Sequence, residues 1–207
     1  MDDTDAARRE GPDVVACKRC PALVESRSQI ANGGGPTDAD LLFVGEAPGE
    51  TEDREGRPFV GRAGDVLDDA LRDAGLARAD VRITNCVRCR PPDNRDPHAE
   101  ELANCRSHLN AEVAFVDPGL VVTLGKVPSE HLLDRSVAVT SEAGSVHDAR
   151  LGGRSRRGLV SLHPAATPYD ASQQETFADG IREAAALAGE DGGGPDDSGG
   201  QSRLGDY

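Results

Sequence analysis

Four of the five cysteines in this chain are spaced in a way that could hold a metal centre. Cys17 and Cys20 form a CxxC pair, Cys89 falls in a proline-punctuated stretch, and Cys105 lies on a predicted helix. Thiolates ligate zinc and iron–sulfur clusters, and in a cytosolic chain such a set points to metal before disulfides. The long interval after Cys20 does not match the compact spacing of zinc ribbons. It suits an iron–sulfur cluster that fastens an amino-terminal segment onto a domain. On spacing alone a cluster, a zinc site and unliganded thiols all stay open. Cys86 stands apart as a small buried hydrophobe.

A second group of chemically useful side chains follows the apolar runs. Residues 40–44, 81–84, 120–124 and 159–162 read as buried parallel strands, and they end at Gly45-Glu46, Asn85, Gly125 and His163. In open α/β sheets, ligands bind at the carboxyl ends of strands. Glu46, Asn85 and His163 are thereby expected on one rim. The glycine- and proline-rich loop 45–64 is the first place to expect a pocket.

The elements that must carry these residues follow from periodicity. Helices are predicted at 63–74, 97–116, 127–133 and 172–188, with a short one after Pro21. Val66, Leu67, Ala70, Leu71 and Ala74 form one apolar face of the first. Between 135 and 157 the pattern is ambiguous: alternation at 137–140 hints at a hairpin, and Gly152-Gly153 at a turn. Four strands alternating with helices predict an α/β fold, a three-layer αβα sandwich around a central, mainly parallel four-stranded sheet.

The 207 residues suffice for one domain with a proper core. Residues 1–12 are expected as a mobile amino terminus, 13–188 as the folded domain, and 189–207 as a disordered acidic tail. No apolar run reaches the length of a membrane span, and the start is acidic where a signal peptide would be basic, so a cytoplasmic location is expected. Net charge is −14, and Lys18 and Lys126 are the only lysines. Such a balance suggests a halophile's cytoplasm, where molar salt shortens screening to roughly 3 Å. Any DNA-binding face on so acidic a chain must be locally basic.

Taken in order, Gly45-Glu46-Ala47-Pro48-Gly49, Gly56-Arg57-Pro58-Phe59-Val60-Gly61, Thr84-Asn85, Cys89-Arg90-Pro91-Pro92, Asn94-Arg95 and His163-Pro164 resemble the family 4 uracil-DNA glycosylases. The resemblance spans residues 14–188. It implies the fold of that superfamily and a [4Fe-4S] cluster on Cys17, Cys20, Cys89 and Cys105. It further implies a monomer that acts on uracil-containing DNA, single- or double-stranded, and leaves an abasic site.

The chemistry of that reaction assigns roles. A base extruded from DNA needs an aromatic platform, a matching amide and a donor to the oxygen that gains charge. Phe59, one of six aromatic residues, is the expected platform. Asn85 can pair with uracil N3–H and O4, a pattern that cytosine reverses. His163 would donate to O2 as uracil leaves as an anion. By resemblance, Glu46 and Ala47 belong to the pocket, with Glu46 stabilising the sugar cation or orienting water. Ala47 stands where some relatives place an acidic base. Glu52 is assigned, by resemblance only, to a position near C5 that excludes thymine. His98, His108, His131 and His147 read as surface or helix residues.

DNA contacts are expected from Arg54, Arg57, Arg62, Arg88, Arg90 and Arg95 and from the backbone amides of Gly49 and Gly61. Arg154, Arg156 and Arg157 read as a solvated loop that could extend the basic face, and Tyr169 as a substitute wedge. No lysine is placed for Schiff-base chemistry. The competing readings are a glycosylase for other deaminated bases and a non-catalytic iron–sulfur protein that binds nucleic acid or works in redox.

Overall fold

A computed structural model describes residues 8–10 and 12–191. Most of the expected mobile terminus and acidic tail lies outside them. In chain order the elements are β1 (Arg8–Glu10), β2 (Asp13–Ala16), α1 (Pro21–Ser26), β3 (Leu41–Gly45), α2 (Glu50–Glu55), α3 (Arg62–Asp73), β4 (Arg82–Asn85), α4 (Ala99–Val116), β5 (Leu120–Leu124), α5 (Lys126–Leu133), α6 (Val139–Glu142), β6 (Val146–Leu151), β7 (Arg154–Ser161) and α7 (Ala171–Asp191).

The central sheet has five strands in the order β4-β3-β5-β7-β6. The first four are parallel, and β6 runs antiparallel to β7 at the edge. This corrects the expected count of four. Hidden strand β6 carries His147, Asp148 and Arg150 and buries only Ala149 and Leu151, so it has no apolar run to announce it. The turn expected at Gly152-Gly153 joins β6 to β7, whereas 137–140, expected as hairpin, includes the start of the short helix α6.

Alternation along β3 shows why there are three layers. Leu41 and Phe43 face one core with Leu67 and Leu71 of α3 and Phe177 and Ile181 of α7. Leu42 and Val44 face another with Leu109 and Val113 of α4 and Leu132 of α5. A period of two with both faces apolar requires helices on both sides. The last helix runs to Asp191, past the boundary expected at 188.

Beside β4, the glycine-rich segment 31–36 is part of the body, although its composition reads as a flexible loop. Gly34 and Ile83 exchange two backbone hydrogen bonds of 2.9 Å. Gly35 has φ +99°, and a Cβ there would lie 2.0 Å from the Val81 carbonyl oxygen, so only glycine fits. Beneath this segment Glu112 of α4 is fully buried between two arginines. It accepts from Arg82 Nε at 2.9 Å and from Arg88 Nη2. Arg88 Nη1 donates to Asn32 Oδ1 at 2.8 Å, and Asn32 exchanges hydrogen bonds with the Val14 backbone of β2. The amino-terminal hairpin is thus tied through buried polar groups to the sheet.

Candidate active site

Strands β3 and β4 end side by side, with Gly45 opposite Asn85 in the ladder. A Cβ at Gly45 would lie 2.4 Å from Asn85 Oδ1 and 2.5 Å from Phe59 Cε2. Glycine at this strand end therefore lets an amide and an aromatic ring close over the backbone. His163, just past β7, brings its ring centroid within 5.8 Å of Phe59 at an interplanar angle of 36°. Gly125 backs the imidazole, since a Cβ there would meet His163 Cβ at 3.0 Å. Phe59, Asn85 and His163, distant in the chain, are brought together.

Each of the three carries a physical peculiarity. Asn85 is buried, and neither Oδ1 nor Nδ2 has a partner among the described residues. An unpaired buried amide costs about 1–3 kcal/mol, and a bound molecule with the complementary edge would remove that cost. His163 Nδ1 accepts from the Ala165 backbone N–H at 3.1 Å. In the neutral ring the proton is then on Nε2, which is left as a donor. Burial lowers the His163 pKa, which favours the neutral ring. Phe59 takes the left-handed backbone region at φ +51°, a strained choice for a bulky residue. Its side chain is 4 % exposed and belongs to the core on the α3 and α7 side of the sheet.

Ala47, Glu52, Phe59 and His163 line an open recess, together with Gly61 and Arg62. Asn85 borders Phe59 across Gly45 rather than the recess itself. Glu46 is half-buried, and its pKa is pushed up to about 7 by burial first and by the negative charge of Asp96 second. Glu52, assigned beside C5 of a bound base, has its two oxygens turned to backbone: Oε2 accepts Gly49 N–H at 2.6 Å, and Oε1 accepts Phe59 N–H. Because Gly49 N–H is taken, it is not free for phosphate, contrary to expectation.

The arginines sort by burial. Arg54, Arg57 and Arg62 are exposed, and Arg90 is half-buried with Nε on Asn94 Oδ1 at 2.7 Å. Arg95 is paired with Glu101. Arg88 is corrected outright: it is 1 % exposed and serves Glu112. Arg156 is likewise buried against Asp117 and the Pro118 carbonyl, not on a basic face. Tyr169 is 82 % exposed at the end of the six-residue 3₁₀ segment after His163.

A second, small recess is ringed by Cys17, Cys20, Cys89 and Cys105. Arg27 Nη1 donates to Cys89 Sγ at 2.9 Å and Nη2 to the Cys17 carbonyl at 2.8 Å. Asn104 Nδ2 lies 3.6 Å from Cys20 Sγ. Among the described residues no three metal-binding side chains converge tightly enough for a single ion. Four thiols around one recess are a donor set that zinc and iron–sulfur centres share. His108, expected as a surface or helix residue, is on α4, where it is buried and lines this recess. Cys86 is fully buried outside it. Sequence reasoning missed Arg27 and Asn104, and nothing in their spacing announces them.

The Glu46 shift yields a pH expectation. If the carboxylate is the working form, activity rises as pH increases through about 7, and Glu46→Gln removes that limb from the pH–rate profile. The same shift means that the fold favours the protonated acid. This group's contribution to stability is therefore present below the usual carboxylate range and is lost as pH rises through about 7.

Comparison with known proteins gives the chain's family. A family model described as the uracil DNA glycosylase superfamily matches residues 32–184. The chain is 34% identical over 193 residues to the Type-4 uracil-DNA glycosylase of Archaeoglobus fulgidus, covering 91% of this chain and 95% of that one. It is 42% identical over 153 residues to the Type-4 uracil-DNA glycosylase of Thermotoga maritima, covering 73% and 78%. With the Type-4 enzyme of Sulfurisphaera tokodaii the identity is 33% over 189 residues, covering 89% and 86%. The chain belongs to the uracil DNA glycosylase superfamily.

Proposed function

We propose that this chain is a monofunctional uracil-DNA glycosylase, which draws uracil out of DNA and hydrolyses its N-glycosidic bond to leave an abasic site. The observation that carries this reading is the buried, unpartnered amide of Asn85 beside the Phe59–His163 pair. Uracil offers the matching edge: Asn85 Nδ2 donates to O4 while Oδ1 accepts N3–H. Phe59 supplies a face for stacking. As the bond from C1′ to N1 breaks, negative charge moves onto uracil, and His163 Nε2–H donates to O2. A preorganised donor of this kind is worth roughly 3 kcal/mol. Ionised Glu46 stabilises the sugar cation and orients the water whose oxygen bonds to C1′, and the proton that this water loses neutralises the departing uracil anion. Ala47 provides no base, so catalysis rests on leaving-group and cation stabilisation. Arg54, Arg57, Arg62 and Arg90 are the cations that would meet phosphate.

Cys17, Cys20, Cys89 and Cys105 would hold a [4Fe-4S] cluster, and the cavity they ring, with a donor on Cys89 Sγ, supports the fit. When bound, the cluster supplies a covalent fastening between α1 and its neighbours, not a step of hydrolysis. Replacement of Cys105 by alanine is expected to lower bound iron and sulfide, bleach the visible thiolate-to-iron band and reduce folding yield. Colourless, fully folded protein that retains zinc would contradict the cluster. Residues 13–188 form the working unit as a monomer, and the acidic, lysine-poor composition is read as adaptation to high salt.

The test of function is a duplex containing one uracil, incubated with protein and then treated with alkali. Strand cleavage at uracil is expected, and absence of cleavage at any salt overturns the reading. A hypoxanthine duplex tests pocket size instead, because its N1–H and O6 offer Asn85 the same donor–acceptor order as uracil.

A further inference from the structure

Glu52 is the third residue of α2, the helix that opens after Gly49. Its carboxylate joins two distant points of one loop, the Gly49 N–H that starts the helix and the Phe59 N–H that starts the platform. The peptide unit between Pro58 and Phe59 is held at its other polar end too, because Arg78 Nη2 donates to the Pro58 carbonyl at 2.6 Å. The next carbonyl is equally confined: a Cβ at Gly64 would lie 1.9 Å from Phe59 O. Between these restraints Phe59 holds φ +51°, a region that L-residues rarely adopt. A residue so held persists only where its surroundings over-determine it.

We propose that Glu52 is the positioning residue for base stacking: its two backbone hydrogen bonds fix Phe59 in the left-handed geometry that aims the ring at Asn85 and His163. This deepens the excision reading and rests on it. A carboxylate turned to two N–H donors acts on the base through Phe59, not as a wall beside C5. Glutamine has one acceptor oxygen, and its amide nitrogen would face the second N–H. Aspartate is one methylene too short to span Gly49 and Phe59.

The experiment compares wild type, Glu52→Gln, Glu52→Asp and Glu142→Gln on uracil and thymine duplexes, with inhibition by free uracil. Glu142 caps α6 by accepting Ala138 N–H at 2.9 Å and lies outside the recess, so it controls for loss of a capping carboxylate. Both Glu52 variants are expected to lose about 10²-fold in kcat, the scale of a misplaced reacting group. Free uracil should inhibit them more weakly, thymine should stay uncut, and Glu142→Gln should keep wild-type rates. Uracil excision that survives while thymine excision appears would overturn the proposal. So would losses that match the unfolded fraction alone. If wild type itself is inert on uracil, it is the excision reading that falls.

Discussion

Replacing Asn85 with alanine lowers uracil excision on the order of 10⁴-fold, the scale on which a site built around hydrogen bonds rejects a mispaired partner. The expectation follows from where the amide sits. Both of its polar atoms are buried without partners, so the fold already bears the desolvation cost that only a substrate edge repays. Alanine removes that cost and the discrimination together, so the variant should melt no lower than wild type. Aspartate separates the terms further. An ionised carboxylate accepts N3–H but repels O4, whereas the protonated acid matches the donor–acceptor order of cytosine. Asn85→Asp should therefore lose uracil excision at neutral pH and cut cytosine weakly as pH falls. Single-turnover rates on paired uracil and cytosine duplexes, beside thermal melts, check both statements. Unchanged uracil excision by Asn85→Ala would remove the amide from the mechanism.

Changing Glu112 to alanine costs about 3–5 kcal/mol of stability, because it strands two buried guanidinium groups. Glu112 is fully buried, Arg88 is 1 % exposed and Arg82 is 4 % exposed, so water cannot take the place of the lost carboxylate. The damage should spread toward the cysteines. Arg88 directly precedes Cys89, and its other nitrogen holds Asn32, which in turn holds β2 at Val14. Gly33 is part of the same fit, since a Cβ there would lie 2.0 Å from Glu112 Oε1. Denaturant melts should show the loss, with bound iron falling in parallel. Replacing all three charged residues by apolar ones of similar volume should restore much of the stability, because ion and partner disappear together. A Glu112→Ala protein that melts like wild type would show that the triad is not the anchor described here.

Parallel strands β3 and β5 were legible in the sequence because burial on both faces leaves a continuous apolar run. The edge strand β6 was hidden for the opposite reason, being mostly charged and exposed. The rim was readable because Asn85 and His163 follow directly from strand ends, and position along a parallel strand fixes which end of the sheet a residue reaches. Burial of polar groups was not readable. Arg88 sits among arginines in sequence and reads as a phosphate contact, yet its partner Glu112 comes from a helix far along the chain. His108 was hidden in the same way inside α4. Glu52 was placed in the pocket, but which way its oxygens turn depends on Phe59 N–H returning to the start of α2, a closure no local pattern encodes. Local chemistry named the candidates for the site, and tertiary closure decided what each one touches.

The most direct test of the convergence of Phe59, Asn85 and His163 is a titration of isotopically labelled protein with free uracil, followed by NMR. The Asn85 side-chain amide and the His163 Nε2–H resonances should move together, saturate at the same uracil concentration, and show contacts from the Phe59 ring to the pyrimidine. Saturable uracil binding that leaves the Asn85 and His163 resonances in place would contradict the account.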